Sequence, residues 1–306
     1  VDANGADSLS ADTLLSIEEV NASLDVWSLF QNKISITGFS VKSPKVKLLS
    51  NDSGGYTLGR SLQRKRNNLE DALAGEAGWT PNIEIVAPQL TVNNGELFIE
   101  KLYGDYARVN LPEPLNIKGI NTAMFLEVSE TQLFWDIENL EADILDIEPG
   151  KIRVNGQVYN DERFLEFNAF NLLAGNSEIR LNGEIDGVNL YQKDIPSQLR
   201  KAHYNIDVSS NGIILGEFKD VIAGLPNIPK PIEFSVQTEG VIDSLWVDQF
   251  TMGLGGSYFS INGFFRNLSN TDNLRYELKM SEVVLQKNDV EIFSGPLNED
   301  QFSLLD

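Results

Sequence analysis

Residues 165–185 read LEFNAFNLLAGNSEIRLNGEI, and residues 245–265 read LWVDQFTMGLGGSYFSINGFF. At an offset of 80 the two align without a gap. Leu165, Phe170, Gly175, Ser177, Asn182 and Gly183 fall on Leu245, Phe250, Gly255, Ser257, Asn262 and Gly263. Six identities in 21 positions exceed the about one or two that ordinary composition supplies. Ile179 and Leu181 fall on Phe259 and Ile261, which keeps the apolar alternation in phase. Self-similarity at a fixed period marks an architecture that stacks one unit. Such proteins work through an extended surface or groove rather than a single pocket.

The alternation extends outward from the repeat. Ile34-Ser-Ile-Thr, Val46-Lys-Leu, Leu97-Phe-Ile, Leu133-Phe-Trp-Asp-Ile-Glu, Lys151-Ile-Arg-Val, Ile206-Asp-Val and Glu233-Phe-Ser-Val place apolar residues at alternate positions. This is the pattern of strands with one apolar and one polar face. Asn93-Asn-Gly, Asn155-Gly, Asn182-Gly and Asn211-Gly read as turns between them, so antiparallel meanders are expected. Helical spacing is confined to Ser61–Ala77, a single turn at Ser28-Leu-Phe, and Leu215–Leu225, which ends before Pro226. The chain is read as all-β with few short helices. It divides into an N-terminal β segment over 1–60, a helical linker over 61–81, a β region over 82–190 and a second over 191–306, with a short helix near 215–225.

Twenty-four basic against 45 acidic residues give the 306-residue chain a net charge of −21. That argues against a nucleic-acid partner, which needs clustered Lys and Arg, and against adsorption to an anionic membrane. The one basic run, Arg60–Arg66, lies beside Glu70 and Asp71 and reads as a solvated helix face. No run approaches the roughly 18 apolar residues of a membrane span. Starting at Val1 rather than Met, the sequence reads as a segment of a longer protein whose anchor lies outside it.

Chemistry-bearing residues are sparse. There is no cysteine, which removes disulfides, thiolate metal sites and cysteine nucleophiles together. His203 is the single histidine; it precedes a strand pattern and reads as an ordinary polar strand residue. No nucleophile elbow, Walker loop or dinucleotide fingerprint occurs. The acidic run Asp136–Glu148 interleaves its carboxylates with Ile137, Leu140, Ile144 and Ile147, as a solvated sheet face does and a calcium loop does not. Nothing selects a catalytic pair among the acids, so no enzyme activity, metal or cofactor is expected.

At the N-terminal end, SIEEVNASLDVWSLF (Ser16–Phe30) is followed by KISITGFSVKSPKVKL (Lys33–Leu48) and by NDSGGY (Asn51–Tyr56). The order of a strand, a short turn ending in Leu-Phe, a second strand, a Pro-initiated strand and a Gly-containing loop resembles the opening of AsmA-like and TamB-like proteins. IEIVAPQLTVNNGEL (Ile83–Leu97) is similar to the family's next strand pair, although Ala87-Pro88 falls where that strand usually runs unbroken. Both copies of the repeated phrase resemble the Gly-x-Ser strand of TamB-like repeats. The resemblance implies a periplasmic protein of a diderm bacterium, anchored in the inner membrane. Its body would be a strongly curved, U-shaped β-groove that takes phospholipid acyl chains towards the outer membrane. For TamB itself it also implies an outer-membrane β-barrel partner and a role in outer-membrane protein assembly.

On that reading the groove is lined by Ile34, Ile36, Val46, Leu48, Leu97, Ile99, Ile152, Val154, Ile179, Leu181, Ile185, Ile206, Val208, Phe234, Val236, Phe259, Ile261 and Phe265. A one-residue register error would turn any of these to the opposite face. Two other readings stay open. One is a β-sandwich scaffold that binds partner β-strands at its edges; the other is a carbohydrate-active β-protein with a cleft of converging carboxylates.

Overall fold

A computed structural model of the chain describes residues 14–29, 34–51, 55–56, 85–101, 111–129, 131–190, 195–222, 225, 228, 230–268 and 271–294. The expected helix at Ser61–Ala77 and the basic run Arg60–Arg66 lie outside these residues.

The described chain is mostly strand. An N-terminal group contains β1 (Leu15–Ser16), β2 (Glu19–Asp25), β3 (Ile34–Lys42) and β4 (Lys45–Leu48), with a small ribbon of β5 (Ser50–Asn51) and β6 (Gly55–Tyr56). Eleven longer strands follow: β7 (Ile85–Ile99), β8 (Leu115–Val128), β9 (Leu133–Ile144), β10 (Lys151–Asn160), β11 (Phe164–Ala174), β12 (Ser177–Asp186), β13 (His203–Ile213), β14 (Ile232–Val241), β15 (Ser244–Leu254), β16 (Ser257–Arg266) and β17 (Arg275–Val284). Except for the ribbon, all strands belong to one 15-stranded sheet that does not close. From β7 to β17 each strand pairs antiparallel with its sequence neighbour. In the N-terminal group β2 pairs antiparallel with β3 and β1 with β4, and β3 and β4 both pair parallel with β7.

Among the described residues three short helices accompany the strands: α1 (Val26–Leu29), α2 (Ile195–Lys201) and α3 (Lys287–Ser294). The single turn after β2 lies where Ser28-Leu-Phe predicts it. The helix expected over Leu215–Leu225 is reduced to a 3-10 turn at Leu215–Phe218.

The four Asn-Gly signals are not turns between strands. Asn93–Gly95 lies inside β7, Asn155-Gly156 inside β10, Asn182-Gly183 inside β12 and Asn211-Gly212 inside β13. The registers slip at or beside three of them, between Val92 and Gly95, at Asn155–Gln157, and between Ser210 and Ile213. A bulge asks for the same permissive backbone as a tight turn, so the dipeptide alone does not separate the two. The strands are accordingly longer than expected, and bend where turns were foreseen.

Bulges occur in most antiparallel pairs of the sheet, and each adds twist and a local bend. Glycines mark the tightest bends. At Gly183 (φ +124°) an added Cβ would lie 2.1 Å from the Asn205 carbonyl oxygen of β13, and at Gly263 it would lie 2.1 Å from that of Glu277 in β17. Glycine inside a strand at such an approach is the mark of a sheet turning a corner. The product is an open, curved sheet rather than a flat one.

The repeat is a four-stranded unit: β10–β13 correspond to β14–β17. The bulge at Phe167/Phe170 recurs at Val247/Phe250, and the tight turn at Gly175 (φ +61°) recurs at Gly255 (φ +60°). The units differ in the link before the last strand. It runs over 187–202 and carries α2 in the first unit, and shortens to 267–274 in the second.

Candidate functional site: an apolar trough along the sheet

Directly opposed residues of paired strands share a face, so the registers sort every strand position. One row crosses seven strands from β11 to β17 through Phe170, Leu181, Val208, Val236, Phe250, Ile261 and Met280. The row at the neighbouring positions runs through Asn171, Arg180, Ser209, Ser235, Thr251, Ser260 and Glu282. The first is apolar throughout and the second polar throughout. Every hydrophobic strand residue that is buried, from Val41 and Ala87 to Val247 and Leu254, lies on the apolar face. Most other side chains of that face are half-buried, as when a single sheet curls over its own apolar side with no second layer upon it.

Both ends of the strands are partly covered on this face. At one end Leu199 of α2 and Ala202 just after it pack near Leu165, Ile185 and Tyr204. At the other, Leu215 of the 3-10 turn, Ile228 and Ile292 of α3 close over Ile232, Met252 and Leu254. The middle of the strands stays clear of both clusters, so a continuous apolar floor runs across the strands between two rims. Eleven strands about 4.8 Å apart make the floor about 48 Å long. At its two edges apolar side chains are exposed, Leu15, Val20 and Leu24 on one side and Tyr276, Met280 and Val283 on the other.

All 18 residues named from the sequence occupy this one face by register. Ile34 and Ile36 stand opposite Ile85 and Leu24. Val46 and Leu48 stand opposite Leu97 and Ile99. Ile152 and Val154 face Ala174 and Leu172, and Leu172 in turn faces Ile179. Leu181 meets Val208 and Val208 meets Val236, while Ile185 lies in the row of Leu165. Ile206 pairs with Gly183, Phe234 with Met252, Phe259 with Met252, and Ile261 and Phe265 with Phe250 and Leu245. The sequence reading missed Leu90, Met124, Ile137, Phe170, Phe250 and Met280 on the same floor. Phe170 and Phe250 were already visible as identities of the repeat. The bulge just before each shifts its parity, which hides it from simple alternation.

The rim fastening is also repeated. Ser177 Oγ accepts from the Ile214 N–H (3.0 Å) and donates to Glu217 (2.9 Å), whose carboxylate also takes the Asn176 side-chain amide at 2.6 Å. Ser257 Oγ accepts from the Gln286 N–H (2.8 Å) and donates to Asp289 (3.0 Å), which also accepts from the Gly256 and Ser257 N–H groups at 3.0 Å. In both copies the carboxylate lies three residues after the donor N–H. Each clasp ties a hairpin turn to the element that follows the next strand but one in the chain. Asp289 is buried and also takes the Lys230 ammonium. That hydrogen bond, more than burial opposes it, holds its carboxyl below the ordinary range, with Ser257 and Gly256 contributing.

No family model matches the chain, and no curated protein or solved structure matches it.

The polar face carries the charge. Asp136, Glu141 and Asp143 of the acidic run are on it, with Arg153 bonded to Glu141 at 2.6 Å. His203 begins β13 opposite Asp186 and is exposed. Away from His203, a shallow hollow on the polar face is lined by Glu166, Asn182, Asp207, Gln237 and Asp248. Among the described residues no group of three His, Asp or Glu is arranged to hold a metal ion.

Proposed function

We propose that this chain is a segment of an AsmA- or TamB-like lipid-transfer protein and that its trough carries phospholipid acyl chains. The observation that supports this is the apolar row that continues from strand to strand without a polar interruption, open along one side. A tail of about fifteen methylenes gains up to roughly 12 kcal/mol on full burial, so chain burial alone holds a lipid and the headgroup needs no dedicated site. Headgroups ride at the open seam while tails slide along the floor, with no step that calls for a catalytic residue or cofactor. The acidic outer face keeps the protein apart from anionic membrane surfaces. The place of action is the periplasm, between an inner-membrane anchor elsewhere in the parent protein and an outer-membrane β-barrel, which also serves outer-membrane protein assembly. The sandwich alternative calls for two packed sheets. The described strands form one sheet and a two-stranded ribbon.

A single introduced thiol tests the proposal, because the chain has no cysteine of its own. Ile261→Cys and Asn262→Cys lie on opposite faces of β16. Labelled with a bimane fluorophore and mixed with phosphatidylethanolamine vesicles, the protein should show a blue shift at position 261 and none at 262. Equal responses at both, or at neither, would overturn the trough as the lipid path.

A further inference from the structure

Among the described residues β17 forms one edge of the sheet, with no described strand paired along its outer side. All ten residues of β17 are exposed, Tyr276 and Met280 at 66% and 67%. Its other side is bonded to β16 in regular register from Arg275 to Met280. Natural edges are blunted by Pro, by inward-pointing charge, by Lys or by a bulge, and β17 has the last two in Lys279 and the irregularity after Met280. Here no Pro occurs, and the side chains on the apolar face are Tyr276, Leu278, Met280 and Val283. In the first repeat unit the corresponding strand, β13, is not an edge, because β14 pairs along it.

The residues of β17 are complementary to themselves. In an antiparallel pair with a two-fold axis at Leu278, Tyr276 stands opposite the second copy's Met280 on the apolar face. On the polar face, Glu277 stands opposite the second copy's Lys279, and the symmetry repeats both pairs. A two-fold axis perpendicular to the sheet keeps the apolar faces of both copies on one side. We propose that β17 is a self-association edge, through which two copies of this chain join into one continuous sheet with a shared trough. The pairing follows from the edge and its charges and does not depend on what fills the trough.

Charge reversal separates this pairing from general stickiness. In sedimentation velocity the unmodified chain should run as a dimer, at twice its 34.0 kDa mass. Glu277→Lys alone and Lys279→Glu alone each oppose like charges twice and should weaken self-association by about tenfold or more. Mixed in equal amounts, the two variants restore opposite charges at both positions and should form a heterodimer, which a misfolded variant could not do. Leu278→Cys should close a symmetric disulfide on mild oxidation. A monomeric unmodified chain, a dimer indifferent to both reversals, or a Leu278→Cys protein that stays reduced would each overturn the proposal. So would a monomer that instead takes up a synthetic peptide of Ile232–Val241, since the edge would then belong to a further repeat strand.

Discussion

Replacing Gly183 with alanine tests the bend that turns the sheet into a trough. The new Cβ would sit 2.1 Å from the Asn205 carbonyl oxygen and 2.8 Å from the Ile206 Cα, both backbone atoms of β13. No side chain can rotate to relieve that contact, so β12 and β13 must part. A non-glycine residue held at such a positive φ costs about 1–3 kcal/mol, and each ladder hydrogen bond stretched or lost adds about 1 kcal/mol. The expected loss is therefore about 3 kcal/mol, concentrated where β12 meets β13. Hydrogen exchange followed by mass spectrometry suits a many-stranded sheet better than a global melt, whose two-state reading fails for long repeats. Amides of 204–208 should exchange roughly a hundredfold faster, at about 1.4 kcal/mol per decade. Gly38→Ala is the control. An added Cβ there meets nothing within 4 Å, and the same measurement should show no acceleration in β3. If Gly183→Ala changes exchange in β13 by less than about threefold, the bend does not rest on this glycine and the account of the curvature is wrong.

Other consequences can be checked singly. Asp289 is held ionised by Lys230, so its folded pKa lies below the unfolded value of 3.8. Its contribution is present above that value and lost as pH falls through the lower folded pKa. Asp289→Asn should therefore flatten the acid limb of the stability–pH curve and raise exchange in α3, and an unchanged acid limb would contradict the clasp. Ser177→Ala and Ser257→Ala each delete one accepted and one donated hydrogen bond at equivalent places. Each should cost about 1–2 kcal/mol, read as faster hydrogen exchange at its own hairpin turn, and a large effect at one with none at the other would break the equivalence of the two rims. Thr122 Oγ1 is buried on the apolar face with no hydrogen-bond partner among the described residues; Thr122→Val should raise stability by about 1 kcal/mol, and a loss would place a partner there.

The fold class could be read because each strand exposes one face, and period-two alternation follows directly from that. The repeat could be read in two strands of each unit. There the backbone itself demands residues: a left-handed turn at Gly175 and Gly255, close approaches at Gly183 and Gly263, and clasp hydroxyls at Ser177 and Ser257. The flanking strands of the unit need only alternation, so β10 and β14 share little sequence although they share a role. Bulges set the limit. A bulge reverses inside and outside partway along a strand, which is why Phe170 and Phe250 escape simple alternation and why an Asn-Gly pair inside a strand reads as a turn. The parallel pairing of β3 and β4 with β7 left no mark in the sequence, since it joins segments separated by the residues of the linker. Leu215–Leu225 has helical spacing because Leu215 packs over Ile232 and Leu254 at the rim, and a single 3-10 turn meets that need.

Native mass spectrometry of the protein purified without detergent tests the central claim most directly. The unmodified chain should carry phospholipid. A Leu181→Asp, Ile261→Asp variant, with a carboxylate at two points of one apolar row, should carry none, and Asn262→Asp on the polar face should still carry it. A folded, lipid-free unmodified chain, or lipid retained equally by the floor variant, would contradict the trough as a lipid path.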